Sequence, residues 1–307
     1  VTDKEIGDAL RRAGLTPRAL AAAWGTDRVA HLMAPRELPS TPATAALRLF
    51  VARVAVPAAD ADRGLGPLLL ALVDRRLVDV DADGAAVRAR IAILPVGPSL
   101  VACDRDTWPD DSSHHLVGCL PPHRVERWLD VGTGVGFAPL SVPDRAVRIV
   151  GGDVDPNSIA GAKLGVALSG ITHVEPRLAD LLAGVGAGYD LITFNAPIPA
   201  EACATPIDAP PFRRAPPDAH LVPRFLAGAA ALLVRGGTVV VHTWLGDAIH
   251  AALDALDGDV VVARYTPDGV TPFGVVRWRP DAAPGRRDRL RELSSTRPHL
   301  RWNDLDD

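Results

Sequence analysis

The sequence predicts an α/β fold, a Rossmann-like and mostly parallel sheet with helices on both faces, preceded by a helical, winged-helix-like module. Three observations carry this expectation. The stretch VERWLDVGTGVGFAPL, Val125 to Leu140, runs from an apolar segment ending in Asp130 straight into Gly132-Thr133-Gly134-Val135-Gly136 and back into apolar residues, the pattern of a strand, a glycine turn and a helix. From there to Trp278, strand-like and helix-like segments alternate. At 307 residues with 48% hydrophobic composition, the chain has enough apolar material for one large domain and a smaller one. In sheets of this kind ligands sit beyond the carboxyl ends of the strands.

Composition narrows the function classes. A formal charge of −4 supplies no global basic field, which makes nucleic acid an improbable partner, though not an excluded one. The three cysteines, Cys103, Cys119 and Cys203, are far apart and fit neither a zinc site nor a disulfide framework, so no metal is expected and a reducing cytoplasm suits them. No apolar run reaches about 18 residues, and neither a signal peptide nor a membrane span is supported.

Residues 1–100 read as a unit. Residues 3–13 form an amphipathic helix pattern; Thr16 before Pro17 caps a second helix that Gly25 closes. Apolar segments Ala43–Val56 and Leu65–Leu77 follow as further helices. Leu77–Val80 and Ala86–Leu94 flank Asp81-Ala82-Asp83-Gly84 as a hairpin, the wing of the module. Its arginines, Arg75, Arg76, Arg88 and Arg90, are mixed with acids, which favours a recognition or dimerisation cap over an RNA-binding face. Residues 101–124 are expected to be an irregular connector or lid, broken by Pro109, Pro121 and Pro122 and rich in Asp, Ser and His. His114 and His115 are candidate substrate contacts there; adjacent residues of a strand face opposite ways, which argues against joint metal ligation. The domain of interest spans 125–280. Residues 281–307, with Arg286, Arg287, Arg289 and Arg291, read as a C-terminal helix with a frayed acidic end.

A glycine turn after a strand serves two common ligands, a dinucleotide and S-adenosylmethionine. The dinucleotide fingerprint needs a third glycine where this chain has Phe137. Asp153, at the end of the next strand, suits ribose hydroxyls in either case. The segments LDVGTGVG, GGDVDPNSIAGAKLG, YDLITFNAPI and LLVRGGTVVVHTW together resemble the class I S-adenosylmethionine-dependent methyltransferases. Within them, the chain is similar to the small-domain group of release-factor glutamine and ribosomal-RNA guanine N2 enzymes. The resemblance covers about Asp110 to Trp278. It implies that Asp130, Gly132, Thr133, Gly134 and Gly136 meet the methionine part of the cofactor, Asp153 its ribose, and Asp180 and Leu181 its adenine.

Asn195-Ala196-Pro197-Ile198 stands where that group carries Asn-Pro-Pro followed by an aromatic residue. An amide or amine nitrogen has to be turned toward the methyl group, and two acceptors at Asn195 and the Ala196 carbonyl do this while Pro197 stiffens the loop. Ile198 removes the aromatic face on which a base stacks, a contact worth roughly 1–3 kcal/mol. The expected activity is therefore N-methylation of a small-molecule or peptide acceptor, with S-adenosylhomocysteine as by-product. The alternatives are an O-methyltransferase with a histidine base and an RNA- or ribosome-directed enzyme using the winged module; a homodimer is compatible with each. Arg213, Arg214, His220, His242 and Trp244 complete the candidate substrate contacts.

Overall fold

The structure, a computed structural model, describes residues 1–26, 28–29, 32, 38–198, 220–267 and 269–306. The chain opens with α1 (Asp3–Arg12), where Thr2 and Glu5 form a reciprocal capping box, and α2 (Pro17–Trp24), capped by Thr16 and closed by Gly25 in the left-handed conformation. Both follow the sequence pattern. The next apolar segment gives a 3-10 turn, α3 (Ala45–Phe50) and β1 (Val56–Pro57); a helix, α4 (Ala58–Leu65), fills the stretch that reads as a loop before the following segment, which gives α5 (Pro67–Asp74). Gly66-Pro67 separates the last two, because proline has no N–H for a continuing helix.

The expected single hairpin is two. Strands β2 (Val78–Val80) and β3 (Ala86–Ala89) flank the predicted turn, with Gly84 donating to the Asp81 carbonyl, and β1 joins them in the order β1-β3-β2. The second arm stops at Ala89. Its remaining apolar residues belong to β4 (Ala92–Val96), which pairs with β5 (Ser99–Cys103) as a separate hairpin whose two strands are buried. The predicted boundary at residue 100 thus falls inside a strand. Nor are residues 101–124 an irregular connector, since α6 (Asp111–Gly118), capped by Asp110, occupies their middle. His114 and His115 lie on this helix, not on a strand.

The central sheet follows. Strand β6 (Val125–Val131) feeds the glycine turn and the short α7 (Phe137–Ser141); β7 (Ala146–Asp153) leads to α8 (Pro156–Ser169), with Asp155 as N-cap and Gly170 as left-handed C-cap. Then come β8 (Val174–Leu178), β9 (Tyr189–Asn195), α9 (Leu221–Ala229), β10 (Leu233–Trp244), α10 (Asp247–Asp254), β11 (Asp259–Tyr265), β12 (Phe273–Arg279) and β13 (Gly285–Leu290). The strand order is β13-β11-β12-β10-β9-β6-β7-β8. From β8 to β10 all neighbours are parallel, and β12 is antiparallel to both of its partners.

Alternation of side chains along the strands divides the core between the faces. Leu129, Ile192, Phe194, Val239 and Val241 pack beneath Phe225 and Leu226 of α9 and Ile249 and Leu253 of α10. Trp128, Leu191, Val240 and Val261 face the other way, toward Leu116 of α6 and Leu300 and Leu305. The N-terminal module joins this second face through α8. A Cβ at Gly161 or Gly165 would lie 2.6 Å or 2.9 Å from the β5 carbonyls of Ala102 and Leu100, so two glycines one turn apart admit that strand's backbone against the helix.

The C-terminal residues correct a prediction. Residues 285–290 form an edge strand of the central sheet instead of a helix, parallel to β11, and the boundary at 280 cuts through one domain. Their arginines are pulled in by carboxylates: Asp259 accepts from Arg279 and Arg287 at 2.6 Å each and from buried Arg277 at 3.3 Å. Burial raises the Asp259 carboxyl, and those guanidiniums more than offset it, holding it below its ordinary value. Leu300 and Leu305, fully buried, fix the end of the chain at roughly 1.5–3 kcal/mol each. Among the described residues, no helix is long and apolar enough to cross a membrane.

Candidate active site

A cleft of about 470 Å³ opens at the carboxyl ends of β6, β7 and β9, within the range of roughly 300–1,000 Å³ usual for small-molecule sites. The glycine turn forms its floor. Gly132, Gly134 and Gly136 all have positive φ, at 60°, 56° and 77°, which explains why the turn is written in glycine. At Gly132 there is a second reason, because a Cβ would sit 2.9 Å from the Phe194 ring; at Gly134 it would meet nothing and project into open space.

The carboxylates around the turn hold it in shape. Asp130 is 2% exposed, and its two oxygens accept from Thr133 Oγ1 at 2.7 Å and Thr193 Oγ1 at 2.5 Å. Thr193 in turn accepts from Trp128 Nε1 at 2.7 Å. Burial lifts the Asp130 carboxyl to about 6, against the pull of those hydroxyls. Asp153 accepts from the N–H of Gly134 at 2.8 Å and of Asp155 at 2.9 Å; burial raises it as well. Asp106, Asp155 and Asp180 complete an acidic lining in which, among the described residues, no lysine, arginine or histidine takes part. Leu181 beside Asp180 is one of few non-glycine residues at positive φ, 48°.

On the opposite wall, Asn195 ends β9. Its Nδ2 donates to Ser112 Oγ at 2.8 Å and Ser113 Oγ at 3.3 Å. Ser112 gives its own proton to Asp110 Oδ1, so its lone pairs are left to receive, and this fixes which way the amide faces. Asn195 Oδ1 is buried and has no hydrogen-bond partner among the described residues. An orphaned buried carbonyl oxygen costs about 1–3 kcal/mol, which makes it a site waiting for a donor. Ala196 is buried, with its N–H on the His242 carbonyl at 3.0 Å, and Pro197 lines the cleft.

The structure thus gathers Asp130, Gly132, Thr133, Gly134, Asp153, Asp180, Leu181, Asn195 and Pro197 around one cleft. Gly136 caps α7 just behind it. The histidines predicted as substrate contacts are elsewhere. His115 is buried, takes the Leu300 N–H on Nδ1 at 3.0 Å and stacks on Tyr265 with ring centroids 4.2 Å apart. Burial, with His242 and His299 nearby, drives its pKa down to about 2. His114 stacks on His299 at 4.8 Å, and His242 is buried with Nε2 2.8 Å from the Tyr265 hydroxyl. None of these three, nor Ile198 or Trp244, contributes to the described cleft wall; Trp244 packs its ring over Gly246. Arg213 and Arg214 lie outside the described residues, and His220 is an exposed residue at the start of α9.

Asp106, Thr107, Pro109, Ser113, Leu116, Ser158 and Leu221 line the cleft without having been singled out from the sequence. The signal was the polar run ahead of the glycine turn. Within that run the serines, which look like ordinary loop residues, hold the asparagine, while the conspicuous histidines turn to other partners, His115 in the core and His114 against His299.

Comparison with known proteins agrees with this geometry. Residues 106–208 match the family described as methyltransferase small domain. Two curated relatives, the ribosomal protein L11 methyltransferases of Lactobacillus johnsonii and Lactobacillus gasseri, are 35% and 32% identical over 68 residues, 22% of this chain and 22% of each relative. Among solved structures, a 16S rRNA N2 methyltransferase of T. thermophilus in complex with AdoMet and guanosine aligns with a TM-score of 0.46 and 20% identity, over 66% of this chain and 47% of that one. TrmN from Thermus thermophilus aligns with a TM-score of 0.41 and 23% identity, over 54% and 48%. The likeness to the methyltransferase small domain thus spans residues 106–208, the stretch that holds the glycine turn, Asp153 and Asn195.

Proposed function

We propose that this chain transfers the methyl group of S-adenosylmethionine to a nitrogen, in an acceptor whose N–H is received by Asn195 Oδ1. The single observation that carries the reading is that oxygen, which is buried and without a partner among the described residues, on a side chain that lines the cleft and whose amide group is held by Ser112. The residues suit the cofactor. A sulfonium and an ammonium are welcome in a lining of carboxylates, whereas the pyrophosphate of a dinucleotide would meet five aspartates and find the Gly134 N–H already given to Asp153. The cofactor supplies an electrophilic methyl on a cationic sulfur. The chain aligns the nitrogen lone pair with it, excludes water, and lets the displaced N–H proton leave to solvent.

A histidine base for O-methylation has no support in the described cleft wall, where no imidazole is present. A ribosome-linked, macromolecular acceptor is the second reading, favoured by the names of the matched L11 methyltransferases. The test is transfer of a 13C-labelled methyl from S-adenosylmethionine into small-molecule, protein and RNA fractions of a cell extract, read by the methyl carbon shift. An N-methyl signal is expected, and the fraction that carries it decides between the two acceptors. An O-methyl signal, or calorimetric binding of NAD with none of S-adenosylmethionine, overturns the proposal.

A further inference from the structure

We infer that Ser112, which does not itself line the cleft, is a positioning residue for methyl transfer, fixing through its hydroxyl the direction in which the Asn195 amide faces the acceptor. The inference rests on the N-methyltransferase reading and extends it to α6. Three contacts support it. Ser112 Oγ receives Asn195 Nδ2 at 2.8 Å, and Ser112 passes its proton to Asp110, whose carboxylate also caps the helix by accepting the Ser112 N–H at 3.0 Å. A hydroxyl bound to a carboxylate can serve Asn195 only as an acceptor, so the amide has to present its NH₂ to α6 and turn its oxygen away from that helix. Without that constraint the two orientations of an amide are nearly isosteric, and a flipped Asn195 would offer the acceptor nitrogen a donor instead of a lone pair.

The relay is anchored from outside the catalytic strands. Asp111, next to Ser112, binds Arg28 of the N-terminal module and lies 3.4 Å from His299 Nε2 of the C-terminal segment. Burial raises its carboxyl, and the His299 and Arg28 contacts bring it below its ordinary value. Trp108 Nε1 donates to the Val29 carbonyl at 2.7 Å, and His114 stacks on His299 and meets Phe137 edge-on. The first turn of α6 is therefore seated by both ends of the chain before it reaches Asn195.

The test compares wild type, Ser112→Ala and Ser112→Thr as full chains. Ser112→Ala keeps the Asp110 cap on the backbone, so the helix is expected to hold; dispersed amide spectra confirm folding. The expected result is a fall in kcat of at least about tenfold with the Kd for S-adenosylmethionine unchanged, and recovery in Ser112→Thr, which restores the hydroxyl. The direct readout is the side-chain NH₂ resonance pair of Asn195, assigned by its loss in Asn195→Ala. It is expected to shift and exchange faster in Ser112→Ala and to return in Ser112→Thr. An unchanged resonance pair overturns the relay even if the enzyme is active. A shifted pair in a protein that transfers no methyl overturns the catalytic reading and with it the role of Ser112 in transfer, and a kcat unaffected in Ser112→Ala overturns that role alone.

Discussion

The two walls of the cleft are built in opposite ways. The wall carrying the glycine turn is held mainly from nearby in the chain: Asp130 holds Thr133 three residues away and Asp153 holds Gly134 19 residues away, with one tie from Asp130 to Thr193 of β9. The facing wall is assembled from distant parts, with Asn195 tied to serines 82 and 83 residues earlier and those serines seated by Arg28 and His299. A wall held mainly by near neighbours keeps most of its shape when distant parts shift. An assembled wall depends on docking, so perturbing it is expected to change turnover while leaving cofactor affinity nearly intact.

The largest break in that comparison comes from Asn195→Ala. It removes both the buried acceptor and the group that fixes it, and a positioned polar group at a reacting centre is worth about 10²–10³ in kcat. Steady-state kinetics with S-adenosylmethionine and the identified acceptor are expected to show this loss, with cofactor Kd by calorimetry moving less than about threefold. A comparable loss in cofactor affinity would mean that the two walls are not separate.

Asp153→Ala strikes the other wall. The carboxylate secures two backbone N–H groups and faces the cleft, and hydrogen bonds to charged groups are worth roughly 1.5–3 kcal/mol, or about 10–100-fold in Kd. Calorimetry is expected to show that weakening. At saturating cofactor, kcat is expected to stay within about threefold of wild type, the reverse of the Asn195 pattern.

The same contrast explains what could be read from the sequence. Strand, turn and acid at Asp130–Gly136 and Asp153 are local chemistry, dictated by backbone angles that only glycine takes easily, and the parallel sheet follows from alternating segments. The helix cap at Thr16 is equally local. The serines of α6 carry no such mark, since their role exists only once α6 lies against β9. The charged pattern of 281–307 reads as a helix with a frayed end; Asp259 and the parallel partner β11, neither visible from the segment itself, draw 285–290 into the sheet as an edge strand. His115 and His242 attract attention as reactive types, yet burial decides what an imidazole does.

Titration sharpens the cofactor wall. With its carboxyl raised to about 6, Asp130 is partly neutral below that pH, and a cationic ligand favours the ionised form. Binding of S-adenosylmethionine below about pH 6 is therefore expected to release a proton and to weaken as pH falls, by at most about tenfold per unit. Calorimetry in buffers of different ionisation enthalpy measures the proton, and Asp130→Asn is expected to flatten the dependence. Stability of the free protein runs the other way. The unfolded carboxyl ionises near 3.8 and the folded one near 6, so the folded state binds more protons between them, and this group's contribution to stability is lost as pH rises through that window.

The smallest effect is expected from His242→Phe, and it decides whether a histidine belongs to the acceptor wall at all. His242 is buried 2.8 Å from the Tyr265 hydroxyl and stacks near Phe273, in the layer that supports β10 and not in the described cleft. Phenylalanine keeps the ring and removes the partner of a buried hydroxyl, a loss of about 1–3 kcal/mol in stability. Thermal or urea unfolding is expected to register that loss, while kcat/KM stays within about threefold of wild type below the transition. A loss of about a hundredfold in kcat, together with a pH–rate limb that disappears in the variant, would place an imidazole in proton transfer and return O-methylation to contention.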